Sequence, residues 1–213
     1  CSSDLVLLDA SDAVIRPAIL WNDARADAEA AALARDYPAY ADVTGSLPMA
    51  GLTAPKLLWL QQHEPANFAA IACVLSPKDY VRLQLTGTKL TDMSDAAGTL
   101  WLDEARRAWF APMLAACGLG LEQMPALAEG DAATGTVLAQ VANQLGLPAD
   151  VVVAGGGGDN PVSAVGIGAV NAGDSFISLG TSAAIVSVTE APLGNPAGGV
   201  HSFCHALPGR WYA

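Results

Sequence analysis

The sequence predicts an α/β fold on three observations: short apolar runs of strand length alternate with stretches of helical spacing, the strand interiors are apolar, and no internal repeat or low-complexity tract interrupts the alternation. In chain order, Asp4–Asp9 and Pro17–Trp21 are strand-length runs separated by a polar turn. Asn22 is placed to cap a helix in which Ala26, Ala30, Leu33, Ala34 and Tyr37 recur on one face, and Pro38 closes it. Thr44 to Gly51 is a connection rich in glycine and proline. Thr53 then caps a second helix, with Pro55 in its first turn and Leu57, Trp59 and Leu60 turned inward, as far as His63-Glu64-Pro65. Cys73–Ser76 reads as a strand, Pro77 opens the helix through Leu85, and Thr86-Gly87 supplies its exit.

Farther along, Asp92 to Trp101 is expected to be a polar loop and Asp103 to Ala116 largely helical, interrupted near Pro112. An amphipathic helix spans Val137–Leu145 and ends at Gly146. Val151–Ala154 is wholly apolar and runs into Gly155-Gly156-Gly157-Gly158-Asp159-Asn160, which opens a small-residue helix through Gly168. Four consecutive glycines mark a backbone that something approaches closely. Asp174–Leu179 and Ala183–Val188 flank Gly180-Thr181-Ser182 as a β-hairpin.

Composition narrows the function classes. With 213 residues, 52% hydrophobic and 15% charged, the chain buries a sizeable core and is not disordered. Mean hydropathy is +0.35, yet no apolar run approaches the ~18 residues of a membrane-spanning helix. A net charge of −11 argues against nucleic acid and anionic lipid as partners. Cys1, Cys73, Cys117 and Cys204 are widely spaced in apolar surroundings and read as reduced thiols of a cytosolic protein, with neither disulfide nor zinc. The start at Cys1 without Met and the stop at Gly209–Ala213, where a strand begins, lead to the expectation of a piece of a longer protein.

Four constellations could carry chemistry. The glycine run is not a dinucleotide fingerprint, because Pro161 stands where a third glycine is required, and no Gly-Lys-Ser/Thr makes a P-loop. It leaves Asp159 as a carboxylate beyond a strand's C-terminal end, where open α/β sheets bind ligands: a candidate general base, or equally a helix cap. At the hairpin tip, Gly180-Thr181-Ser182 offers backbone N–H groups and hydroxyls to a phosphate, or is an ordinary turn. Asp92 and Asp95, three apart, suit a turn better than a glycosidase pair. His201, Phe203 and His205 share one strand face with Cys204 on the other, so His201-x-x-Cys204-His205 does not converge on a metal.

The segment Gly51-Leu-Thr-Ala-Pro-Lys-Leu-Leu-Trp-Leu-Gln-Gln-His63 matches, position for position, the first signature of the FGGY carbohydrate kinases. Ile19–Arg25, Pro77–Tyr80, Thr91–Thr99, Gly157–Asn160 and His201–His205 resemble the branch of that family acting on D-xylulose, in register over essentially the whole chain. The resemblance implies an actin-like ATPase, ribonuclease-H-like fold of two domains, with residues 1–170 in the N-terminal, sugar-binding domain and 171–213 beginning the C-terminal, ATP-binding domain. It further implies ATP-dependent phosphorylation of D-xylulose with Mg²⁺, Asp159 as the base, Asn160 as a sugar contact, Gly180 and Thr181 at the ATP phosphates, a cytoplasmic location and a homodimer. Ribulose, gluconate and glycerol kinases and a non-catalytic sugar-binding scaffold are the alternatives. The family's Asp-x-Gly-Thr/Ser phosphate hairpin, with its Mg²⁺-associated aspartate, has no counterpart in these residues.

Overall fold

The structure, a computed structural model, describes residues 4–180 and 183–213. β1 (Val6–Leu8) pairs antiparallel with β2 (Cys73–Leu75), Leu7 opposite Val74, and both strands are wholly buried. The run Pro17–Trp21 adds only a bridge between Ile19 and Leu5. α1 (Asp27–Asp36) starts after Ala26, a turn later than Asn22 suggested, because Asp23 folds onto Arg25 and accepts its backbone N–H at 3.0 Å. A short α2 (Tyr40–Thr44) stops at Gly45, whose φ of +69° disfavours any other residue.

α3 (Thr53–His63) carries the signature segment, with Leu52 rather than Thr53 as N-cap. Its residues explain themselves structurally. Lys56 is buried and donates from Nζ to the Gly51 carbonyl at 2.7 Å, while the Trp59 ring stacks on His63 at 4.6 Å and beneath the Arg25 guanidinium at 4.7 Å. Pro65, which ends α3, opens α4 (Pro65–Ala69). Leu57 and Leu60 meet Leu5, Leu7, Val74 and the fully buried Trp101 in the main core, where Trp101 Nε1 lies 3.4 Å from Cys117 Sγ.

α5 (Pro77–Thr86) has Ser76 as N-cap and Gly87 at φ +73° as its exit. The expected loop after it is corrected: β3 (Leu90–Asp92) leads into α6 (Met93–Ala97), and both are buried. Asp92 Oδ2 caps α6 by accepting the Ser94 N–H at 2.8 Å. The expected helix from Asp103 is corrected too. β4 (Leu102–Asp103) and β5 (Ala108–Trp109) form a hairpin, pinned where Asp103 accepts the Arg106 N–H at 2.9 Å and Arg107 turns to φ +52°, and only α7 (Ala111–Ala116) is helical.

β6 (Ala126–Ala128) pairs parallel with β3. β7 (Ala133–Thr136) pairs antiparallel across α8 (Ala139–Leu145) with β8 (Val152–Ala154), and α9 (Asp159–Gly166) follows the glycine loop. β9 (Ser175–Leu179), β10 (Ala183–Thr189), β11 (Phe203–Cys204) and β12 (Trp211–Tyr212) form one sheet in the order β11-β12-β10-β9. Cys204 and Trp211 of that sheet pack on Met93, Ala96, Ala97 and Leu102, so the last strands lie against α6 and β4.

Candidate active site

The site is built around the loop joining β8 to α9. Arg82 of α5 grips the loop's start: its guanidinium donates to the carbonyls of Ala154 and Gly155 and to Thr134 Oγ1. One helical turn earlier, Lys78 stands beneath Gly156, where an added Cβ would come within 3.6 Å of its Cδ. What approaches the glycines is the protein itself. A Cβ on Gly155 would fall 2.1 Å from the Glu129 carbonyl oxygen, one on Gly157 2.8 Å from Val162 Cγ1, and one on Gly158 3.1 Å from Asp95 Oδ1.

Asp159 is the first residue of α9, with Gly158 as N-cap. Its carboxylate is exposed, with Oδ1 accepting the Asn160 N–H at 2.9 Å. Asn160 is half-buried beside it. Gly180 lies exposed at the end of β9, and no hydrogen bond among the described residues joins it to Asp159 or Asn160. Thr181, the other residue expected at the phosphates, lies outside the described residues.

Under the loop lies a buried ion cluster. Lys78 Nζ contacts Asp79 Oδ1 at 2.5 Å, Asp92 Oδ1 at 2.9 Å and Asp95 Oδ2 at 3.4 Å. Burial opposes the charge on Lys78, but the three carboxylates outweigh it and raise its pKa. Burial pushes the Asp95 carboxyl well above the usual carboxylate range, with Lys78 opposing. Asp92 and Asp95 are therefore internal and ion-paired, not facing carboxylates of a cleft.

The remaining constellation divides as the strand alternation requires. His201 stacks on Phe203 at 6.0 Å and its Nδ1 lies 2.9 Å from Ser46 Oγ, whereas Cys204 Sγ turns to the Glu104 carbonyl at 3.8 Å. Cys73, Cys117 and Cys204 are buried free thiols. Among the described residues no group of three or more His, Cys, Asp or Glu is arranged to hold a metal ion. A cavity of about 460 Å³ between Asp42–Gly45, Asp103–Arg106 and Pro192–Ser202 holds none of the expected site residues. Among the described residues no helix is long and apolar enough to cross a membrane.

Sequence reasoning passed over Lys78, Arg82 and Ser94. Lys78 and Ser94 stand in the stretches Pro77–Tyr80 and Thr91–Thr99, which carried the resemblance without a role.

Residues 1–166 match the family model described as the FGGY family of carbohydrate kinases, N-terminal domain. The chain is 54% identical over 206 residues to the xylulose kinase of Escherichia coli strain K12, covering 97% of this chain and 42% of that protein. The crystal structure of a xyloylose kinase from Brucella ovis superposes with a TM-score of 0.96 at 50% identity, over 99% of this chain and 43% of that one. The gluconate kinase of Lactobacillus acidophilus shares the fold, with a TM-score of 0.90 at 24% identity over 98% of this chain and 43% of that one. The chain thus spans well under half the length of these relatives.

Proposed function

This chain belongs to the FGGY family of carbohydrate kinases, and from that premise we propose that it is part of an enzyme that phosphorylates D-xylulose to D-xylulose 5-phosphate with ATP. Residues 1–170 are read as the sugar-binding side and 171–213 as the start of the ATP-binding side, and the protein as cytoplasmic. The observation that carries the reading is an exposed carboxylate at the N-terminus of α9, beyond an apolar strand, in a chain 54% identical to a xylulose kinase. In the proposed reaction Asp159 accepts the proton of a sugar hydroxyl as that oxygen attacks the γ-phosphorus of ATP. The bond from phosphorus to the β-phosphate bridging oxygen breaks and ADP leaves. Asn160 orients the sugar, and Gly180 and Thr181 face the phosphates.

Mg²⁺ finds no fit among the described residues: their buried carboxylate cluster is already filled by the Lys78 ammonium. The roles proposed for Asp159, Asn160, Gly180 and Thr181 are proton transfer, sugar orientation and phosphate contact, and none of them is routed through the ion.

The second reading, a kinase for gluconate or another polyol, is kept open by the fold shared with the gluconate kinase. Both are tested by measuring ADP release from the complete protein with D-xylulose, D-ribulose, gluconate and glycerol. D-xylulose is expected to give the highest kcat/KM, and Asp159→Asn to lower kcat at least ~10²-fold with little change in KM for ATP. A preference for another sugar overturns the substrate; near-normal turnover of the Asp159→Asn protein overturns the base.

A further inference from the structure

The backbone N–H of Gly158, the residue immediately before Asp159, is buried, and its acceptor is a side chain from far away in the sequence: Ser94 Oγ, at 2.9 Å. That hydroxyl is itself fixed. It donates to Asp92 Oδ2 at 2.5 Å, so its proton points away from the loop and a lone pair is left for Gly158. Asp92 in turn is held by the Ser94 and Asp95 backbone N–H groups at 2.8 and 3.3 Å and by Lys78 Nζ at 2.9 Å.

The rest of α9 gives little other anchorage, since only Pro161 and Ala164 are buried while Val162 and Val165 face outward. Steric keying reinforces the contact, because a Cβ on Gly157 would sit 3.2 Å from Ser94 Oγ. Resting on the reading of Asp159 as base, we propose that Ser94 is a positioning residue. Its hydroxyl, oriented by Asp92 and the Lys78 cluster, sets the direction in which the Asp159 carboxylate leaves the α9 N-terminus.

A positioning group acts through the group it positions, so its effect disappears when that group is gone. A general loss of stability would persist. The test is a double-mutant cycle in the complete protein between Ser94→Ala and Asp159→Ala, reading kcat and the KM for sugar and ATP. Ser94→Ala is expected to lower kcat about tenfold or more while leaving the KM for ATP within about twofold, because a small misplacement of a reacting group costs rate before binding. In the Asp159→Ala background it is expected to cause no further loss of residual turnover.

Ser94→Cys, which keeps the size but is a poor acceptor, should follow Ser94→Ala and serves in its place if the alanine variant does not fold. Unchanged kcat in the Ser94 variants, or a loss that multiplies with that of Asp159→Ala, overturns the inference while leaving Asp159 as base. A fully active Asp159→Ala protein removes the base itself, and the inference with it.

Discussion

Glu104 shows how one side chain can couple stability to pH. It is 1% exposed, and burial, outweighing the opposing hydrogen bonds from Cys204, pushes its pKa from 4.5 up to about 8. The folded state binds this proton more tightly than the unfolded chain. The resulting stability is fully present below pH 4.5 and is lost as pH rises through about 8. Thermal melts between pH 6.5 and 8.5 should therefore show a downward slope in Tm that is shallower in Glu104→Gln, whose side chain stays neutral. Equal slopes in the two proteins would rule the residue out as the cause. Trp101 makes the complementary case for packing: it is fully buried in the main core, and Trp101→Ala should cost ~3–5 kcal/mol by denaturant titration, the range for emptying an aromatic site. Asp159 stands out in the sequence as a candidate because a strand, a glycine run and an acid are contiguous. Its support does not, because Ser94 and Gly158 lie 64 residues apart and nothing in either neighbourhood names the other.

Elements with strong end signals were the legible ones. α5 carries Ser76, Pro77 and Gly87 at its ends, and α8 ends at Gly146 with φ +66°, as expected from the sequence. α6 escaped because its five residues are too few to display a period, and its cap, Asp92, has the composition of a turn. The β4–β5 hairpin was hidden by a helix-compatible composition that a left-handed Arg107 overrides. The glycine loop was read correctly as a place of close approach, but the approaching group is the Glu129 backbone, and the Gly155 N–H adds a neighbouring tie by donating to the Ala132 carbonyl at 2.9 Å. Two alanine substitutions separate these roles. Gly146→Ala, with nothing within 4 Å of the new Cβ, should cost only the ~1 kcal/mol of a left-handed residue. Gly155→Ala must push backbone aside and should cost clearly more; equal urea midpoints for the two variants would contradict the packing found at Glu129.

On the scale of the whole molecule, the described surface is uneven. The β9–β10 hairpin exposes Ile177 at 63%, Leu179 at 79% and Ile185 at 77%, and beside α9 Ile167 is 64% exposed. Apolar side chains concentrated on a sheet face in this way are a surface for association. Residues 1–213 produced alone are therefore expected to self-associate in light scattering. They are also expected to show no D-xylulose-dependent ADP release, since the chain spans 42% of the length of the Escherichia coli xylulose kinase. A monodisperse, active preparation of that segment would contradict both the surface argument and the division of labour proposed for the two sides of the protein.

The contacts of the last strands also set a timetable for synthesis. Ser46 Oγ waits for His201, 155 residues later in the chain, and the Glu104 carbonyl waits for Trp211, 107 residues later. At the ~5–20 residues per second of a translating ribosome, the first of these partners arrives on the order of ten seconds after its mate. Until Cys204 and Trp211 are made, Met93, Ala96, Ala97 and Leu102 have neither to cover them. Through that stretch of synthesis the nascent chain carries an open apolar face on α6, a surface for a chaperone that only the arrival of β11 and β12 closes.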